Sequence, residues 1–288
     1  MRRATALLAV LLLFGATACG ERDEPTGPGL ELYPVTVASA GDRPLVVHSP
    51  ARRIAVLSPG PHEILRSLGA GRRIAGMPVD SGGVIRIEEL RRLKPDLIVT
   101  SPSVDEMQLS RAAAAADVPV HVAPGESIRE VKRAITQLGL ITNQPAGARR
   151  LVRDIEAKRR LVQREVEVRQ LPPVTVFVDV GFFTTVSDHS LIGDLIREAR
   201  GRNVAGPRPD PGPVDLRELE RLDPDVYIAT SDSGTTLAVL KRNPRTRRLR
   251  AVREGRFVIV DTALLEPGPR IGEGLLEIAR VLHPDAFR

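Results

Sequence analysis

The sequence predicts an α/β fold of two similar parallel-sheet lobes joined by one long backbone helix. The prediction rests on an internal repeat, on short apolar runs alternating with helical ones, and on an uninterrupted amphipathic stretch between the halves. Residues 87–96 (IEELRRLKPD) match residues 216–225 (LRELERLDPD). Glu89, Leu90, Arg92, Leu93, Pro95 and Asp96 recur as Glu218, Leu219, Arg221, Leu222, Pro224 and Asp225. Upstream, residues 71–76 (GRRIAG) resemble residues 201–206 (GRNVAG), in the same order and at nearly the same offset. Two matches in register imply two halves of similar structure.

In the first half, residues 54–57 form a short apolar run fit for a strand buried on both faces. Residues 58–61 read as a turn, and 62–68 carry helical spacing up to Gly69. Strands are expected at 73–76, 97–100 and 118–122, with a helix over 88–93 closed by Lys94-Pro95-Asp96. The second half repeats the order, with strands at 174–178, 226–229 and 257–260 and helices at 190–199 and 216–222. Such alternation implies parallel sheets with right-handed crossovers. Residues 145–170 contain no interior proline and place Leu151, Ile155, Val162 and Val166 on one face. Asp154 with Lys158 and Glu156 with Arg160 add acid-first pairs one turn apart. This is one helix of roughly 35 Å at ~1.5 Å per residue, ended by Pro172-Pro173. Two lobes on one rigid helix leave a cleft between them, where ligands usually sit.

The N-terminus carries Arg2 and Arg3, a short apolar run over 6–14, and then Ala16-Thr17-Ala18-Cys19. That is a charged region, a hydrophobic region and a processing site. The apolar run is too short to span a bilayer, which takes about 20 residues. The four residues ending in Cys19 resemble a bacterial lipobox, with Ala16 where leucine is more usual. Cys19 is the only cysteine, so no internal disulfide can staple the fold. The expected division is 1–18 lipoprotein signal peptide, 19–30 lipidated cysteine and Gly/Pro-rich tether, 31–144 N-terminal lobe, 145–171 linking helix and 172–288 C-terminal lobe.

The formal net charge is +6, yet arginines are spread among acidic residues. There is no Trp, only two Tyr and six Phe, and no nucleic-acid recognition motif. The export signal also speaks against a nucleic-acid partner. The densest basic run, residues 244–250, reads as a solvated helix face. Nucleophile elbow, phosphate loop, dinucleotide fingerprint and metalloprotease helix are all missing, which argues against an enzyme.

A known family is resembled at several points. Arg53-Ile54-Ala55-Val56-Leu57-Ser58-Pro59, with Glu63-Ile64-Leu65 and Leu68-Gly69-Ala70-Gly71, looks like its opening motif. Leu93-Lys94-Pro95-Asp96-Leu97-Ile98 looks like its second. Ile192-Gly193-Asp194-Leu195-Ile196, Asn203-Val204-Ala205 and Pro224-Asp225-Val226 continue it. Ala251-Val252, Gly255-Arg256, Asp261, Pro267-Gly268-Pro269-Arg270 and Leu282-His283-Pro284 close it. The chain thus resembles the iron-siderophore and cobalamin class of periplasmic ABC-transporter substrate-binding proteins, from about Val35 to the C-terminus. The resemblance implies the class III architecture, a metal-chelate or corrinoid solute in the cleft, and an ABC permease with its ATPase as partners. It implies a monomer outside the cytoplasm, held to the membrane by the lipid on Cys19, with no resident cofactor. It also implies a docking carboxylate on each lobe. Glu88 matches in the first. In the second the matching position is Arg217, with Glu218 beside it. Both acids also sit at helix starts, where the helix dipole favours them.

Ligands of parallel α/β sheets lie beyond the carboxyl ends of the strands. That rule selects Ser58, Pro59 and His62, then Asp105, then Phe182 and His189, then Arg270, with residues 231–233 as a further candidate. His62 lies in a first helical turn, where N–H groups favour anions, and it could equally ligate a metal. His189 could touch ligand or merely flank a helix cap. Arg270 could grip a ligand carboxylate or form an interlobe ion pair. Phe182, Phe183 and Tyr227 are the aromatics expected near the cleft. The free-metal alternative uses His62, His189 and Glu266. His121 alternates with valines and reads as structural, while His48 and His283 fall away from the cleft.

Overall fold

The computed structural model describes residues 33–39, 44–166, 170–207 and 212–288. The signal peptide, Cys19 and the tether lie outside the described residues, as do residues 167–169 at the end of the linking stretch. An antiparallel hairpin, β1 (Val35–Ala38) and β2 (Pro44–Val47), comes first. The first lobe runs β3 (Ile54–Val56), α1 (Pro59–Ser67), β4 (Ile74–Gly76), α2 (Ile87–Leu93), β5 (Leu97–Thr100), α3 (Glu106–Ala116), β6 (Val120–Val122) and α4 (Ile128–Ile141). Helix α5 (Pro145–Val166) follows. The second lobe runs β7 (Val174–Asp179), α6 (Leu191–Glu198), β8 (Gly201–Asn203), α7 (Leu216–Leu222), β9 (Val226–Thr230), α8 (Leu237–Arg242), α9 (Arg250–Arg253), β10 (Phe257–Val260) and α10 (Ile271–Leu282).

Each lobe holds a four-stranded parallel sheet, in the orders β4-β3-β5-β6 and β8-β7-β9-β10. The two orders are the same once each lobe's strands are counted from its own start, which gives the sequence repeat its structural meaning. The repeated Lys94-Pro95-Asp96 and Asp223-Pro224-Asp225 do one job twice. Lys94 and Asp223 close α2 and α7 in the left-handed conformation, at φ 43 and 38. Asp96 then accepts hydrogen bonds from the N–H groups of Arg52 (2.7 Å) and Arg53 (3.1 Å), just before β3. Asp225 accepts from Thr175 N (3.0 Å) and Thr175 Oγ1 (2.6 Å) at the start of β7. In both lobes the repeated carboxylate staples the first strand beside the third.

Helix α5 joins the lobes along one apolar stripe. Ile155, Val162 and Val166 are buried, and Leu151 is half-buried. Helices α4 of the first lobe and α10 of the second both pack on it. The approach of α10 requires Gly272, because a Cβ there would lie 3.1 Å from Ile155 Cα. Arg159 of α5 forks onto Glu198 of α6 at 2.8 and 2.9 Å. Asp154 pairs with Lys158 as expected, but Glu156 turns to Lys132 of α4 and to Arg159 rather than to Arg160. One apolar core runs from Val37 through Ile155 to Leu282, so both lobes share it.

Three expectations are corrected. Residues 58–61 are not a turn. Ser58 precedes α1 and Pro59, Gly60 and Pro61 form its first turn, where a missing N–H has no helical partner to lose. The basic run 244–250 is not one solvated helix face. Arg245 and Arg248 both hold Glu220 of α7 at 3.0 Å, and Arg250 pairs with Asp223 and Asp225. Tyr227 is not exposed in the cleft: it is fully buried beside Phe177 and Phe257.

The staple predicts that Asp225→Ala lowers unfolding free energy by about 1–3 kcal/mol in urea titrations, since it leaves a strand-start N–H and hydroxyl unpaired. Asp96→Ala, at the more exposed copy, should lower it less. His121 yields a second expectation. It faces the core from β6, opposite Val99, with both ring nitrogens buried and without a partner among the described residues. Burial drives its pKa from 6.5 down to about 4. Above about pH 6.5 the ring is neutral whether the chain is folded or not. Between there and pH 4 only the unfolded chain takes the proton, so stability falls with pH by about 3 kcal/mol and then levels off. His283, also lowered by burial, contributes in the same direction. His121→Leu should therefore fold at least as stably at pH 7 and lose less between pH 6.5 and 4, read by thermal melts across that range.

Candidate functional site

With the first strand of each lobe lying between the second and the third, the crevice of each sheet opens at the carboxyl ends of the first and third strands. In the first lobe Ser58, Pro59 and His62 follow β3, and Asp105 follows β5. In the second, Phe182 and His189 follow β7, residues 231–236 follow β9, and Glu266 and Arg270 follow β10. The strand ends of the two lobes meet. Arg270 Nε donates to Glu63 Oε1 at 2.8 Å, across the lobes. Pro267 packs so tightly on α1 that a Cβ on Gly60 would lie 2.6 Å from its carbonyl oxygen. The same proline would come within 2.7 Å of a Cβ on Gly125, beyond β6.

On the first lobe, Ser58 is 3% exposed and its Oγ has no hydrogen-bond partner among the described residues. Its carbonyl accepts from His62 N at 3.4 Å, and the His62 side chain is half-buried. Asp105 is exposed and already employed: its Oδ1 accepts from Gln108 N at 2.9 Å and caps α3.

On the second lobe the loop after β7 is strained. Phe182 and Phe183 stand at φ 52 and 58, after Gly181 at φ 134. A bulky residue in the left-handed region costs roughly 1–2 kcal/mol. The strain presents Phe182 at 91% exposure. Asp179, fully buried at the end of β7, braces the turn. Its Oδ1 accepts from Gly181 N at 2.8 Å, and its Oδ2 from Tyr227 OH and Thr235 Oγ1, both at 2.7 Å. Burial first, and the Asp179 charge second, push the Tyr227 hydroxyl well above its ordinary pKa, so it stays a donor. His189 is exposed, and the neighbouring Ser190 caps α6 by accepting from Gly193 N at 3.1 Å.

Glu266 is half-buried, and burial, Asp232 and Glu63 in that order hold its carboxyl above the ordinary range. Glu88 and Glu218 begin α2 and α7, each following the second strand of its lobe, so both lie on the strand-end side. Glu88 is exposed, 3.6 Å from Arg91. Glu218 is half-buried, and Arg217 beside it is exposed. Among the described residues no three His, Cys, Asp or Glu side chains gather to hold a metal ion, so His62, His189 and Glu266 form no such cluster here.

Asp179 and Glu63 lie at these strand ends without having been selected by the strand-end rule, whereas Asp232 falls in the further candidate segment 231–233. Asp179 had a signal, a lone carboxylate closing the buried run VTVFVD. Glu63 had none, because its partner lies 207 residues away.

The fold agrees with comparison to known proteins. The chain belongs to the periplasmic binding protein family, which matches residues 75–264. Its two parallel-sheet lobes on one helix are the class III architecture of ABC-transporter substrate-binding proteins. It is 25% identical to an uncharacterised ABC transporter substrate-binding lipoprotein, YvrC of Bacillus subtilis, over 99% of this chain and 97% of that one. Among solved structures it is similar to Helicobacter pylori CeuE in a nickel–histidine complex, with a TM-score of 0.76, 16% identity, and 88% and 89% of the two chains covered. An ABC-type Fe3+-hydroxamate transport protein of Saccharomonospora viridis has a TM-score of 0.69 at 20% identity, with 86% and 99% covered.

The interlobe pair sets an expectation. Arg270→Gln should loosen the strand-end contact and raise the radius of gyration of the ligand-free chain in X-ray scattering. Since the Arg270 and Glu63 side chains are 40% and 33% exposed, the loss in stability should be only about 0.5–1 kcal/mol.

Proposed function

We propose that this chain is the extracytoplasmic solute-binding lipoprotein of an ABC importer, and that it captures a metal chelate in the interlobe cleft. The solute class is an iron-siderophore, a corrinoid or a similar complex, delivered to a permease and its ATPase. The observation that carries the reading is Phe182, an aromatic face held open to solvent by a strained, braced loop at the strand ends. A flat or partly apolar chelate offers such a face a large contact. Ser58, Pro59, His62, Asp105, His189 and Arg270 are the further contacts proposed around it. Lipid on Cys19 would hold the protein at the membrane, in keeping with the lipoprotein relative; among the described residues no helix is long and apolar enough to cross a bilayer. Glu88 and Glu218 are proposed to dock on the permease, one from each lobe. The activity is binding without turnover.

A thermal-shift screen tests this with ferric hydroxamates and catecholates, haem, cobalamin, cobinamide and free zinc, manganese and iron. A ligand at 100 times its Kd adds roughly 2.7 kcal/mol. A chelate or corrinoid should stabilise the chain, and Phe182→Ala should weaken that ligand about tenfold with the unliganded melt unchanged. Stabilisation by a free metal alone, lost in His62→Ala or His189→Ala, would instead establish a metal receptor.

A further inference from the structure

We infer that the cleft selects its chelate by charge, favouring cationic over neutral and neutral over anionic complexes. The inference rests on the chelate-binding reading above and deepens it. Six of the strand-end loops, those after β3, β5, β6, β7, β9 and β10, are 58–63, 101–106, 123–127, 180–190, 231–236 and 261–270. All are described, and together they carry eight acidic residues and one arginine. The whole chain has the opposite balance, 42 Lys and Arg against 36 Asp and Glu. The basic excess lies elsewhere, as on α5, where Arg149, Arg150 and Arg153 are exposed.

The single arginine is not free to offset the acids. Arg270 is engaged by Glu63 at 2.8 Å, so the pair contributes no net charge. Asp232 and Glu266 remain on the second lobe, with Asp188 nearer its Phe182 loop and Asp105 and Glu126 on the first lobe. Their carboxylates are close enough to act on one another, since Asp232 and Glu63 both disfavour ionisation of Glu266. Geometry places Glu63 in the same corner independently, because a Cβ on Gly268 would lie 2.8 Å from Glu63 Oε2. A cleft between two low-dielectric walls focuses such a field. A cation entering it relieves repulsion among the carboxylates. An anionic complex would add to that repulsion and would find no unpaired guanidinium in these six loops. The charge pattern does not define the site by itself. Phe182 at 91% exposure supplies the apolar grip, and the partnerless Ser58 hydroxyl supplies a buried polar group beside α1.

A matched probe series tests this, with the full chain carrying Cys19→Ser and titrated calorimetrically at low and high salt. The probes are a linear ferric trihydroxamate ending in an ammonium group, the same complex with the amine acetylated, and the same complex with the amine succinylated. They differ in charge from cationic through neutral to anionic on one scaffold. A ferric tris-catecholate, strongly anionic, is the fourth. The expected order is cationic, neutral, anionic, spanning roughly tenfold at low salt and narrowing at high salt. Asp232→Asn with Glu266→Gln should reduce the span to about threefold or less. A flat or reversed order, or tightest binding of the tris-catecholate, overturns charge selection and leaves the chelate reading standing. No binding by any of the four overturns both.

Discussion

Everything in this molecule hangs on helix α5 and the apolar stripe along it. Each lobe has an apolar cluster of its own, and a larger one is shared, continuous from the first lobe through Ile155 and Val162 to α10. Separating them would expose that stripe to water, at roughly 25 cal/mol for each square ångström of apolar surface. The charged links across the helices are secondary to this. Lys132 with Glu156 and Arg159 with Glu198 are partly exposed and fix the angle of approach more than the strength of it.

On that helix, the repeat supplies two sheets whose strand ends point into the cleft, and carboxylates at both ends keep the strands in register. Asp96 and Asp225 tie first strand to third at the far end of each sheet. Asp179 ties the near end of the second sheet, and its three accepted hydrogen bonds offset the strain of the Gly181-Phe182-Phe183 turn. An exposed phenylalanine in left-handed backbone is not a local energy minimum. It persists because a buried network overdetermines it, which is how strain is retained at functional sites.

Electrostatics then divides the surface. The chain is basic overall, yet the six strand-end loops after β3, β5, β6, β7, β9 and β10 are acidic and their one arginine is spent between the lobes. That pairing gives Arg270 a mechanical role in joining the lobes as well as an electrostatic one in leaving the cleft negative. Of the two partners that the sequence left open for Arg270, a ligand carboxylate and an interlobe acid, the structure shows the interlobe one, Glu63.

The fold class, the two-lobed organisation and the long helix were all determined by sequence alone, because each is written in local periodicity. Repeated IEELRRLKPD and LRELERLDPD, apolar runs such as LIVT, and the stripe of α5 need no partner to be recognised. The strand-end rule likewise placed Ser58, His62, Phe182, His189 and Arg270 beyond the carboxyl ends of strands, where the structure has them. What only the tertiary structure decided was how those residues are used. Tyr227 became a buried brace because its strand face turned inward onto Phe177. Asp105 became a helix cap because α3 begins beside it. Glu63 met Arg270 only because two chain segments distant in sequence converge on one helix. Secondary structure and repeats follow from neighbours a few residues apart, whereas charge pairing and burial follow from neighbours that only folding brings together.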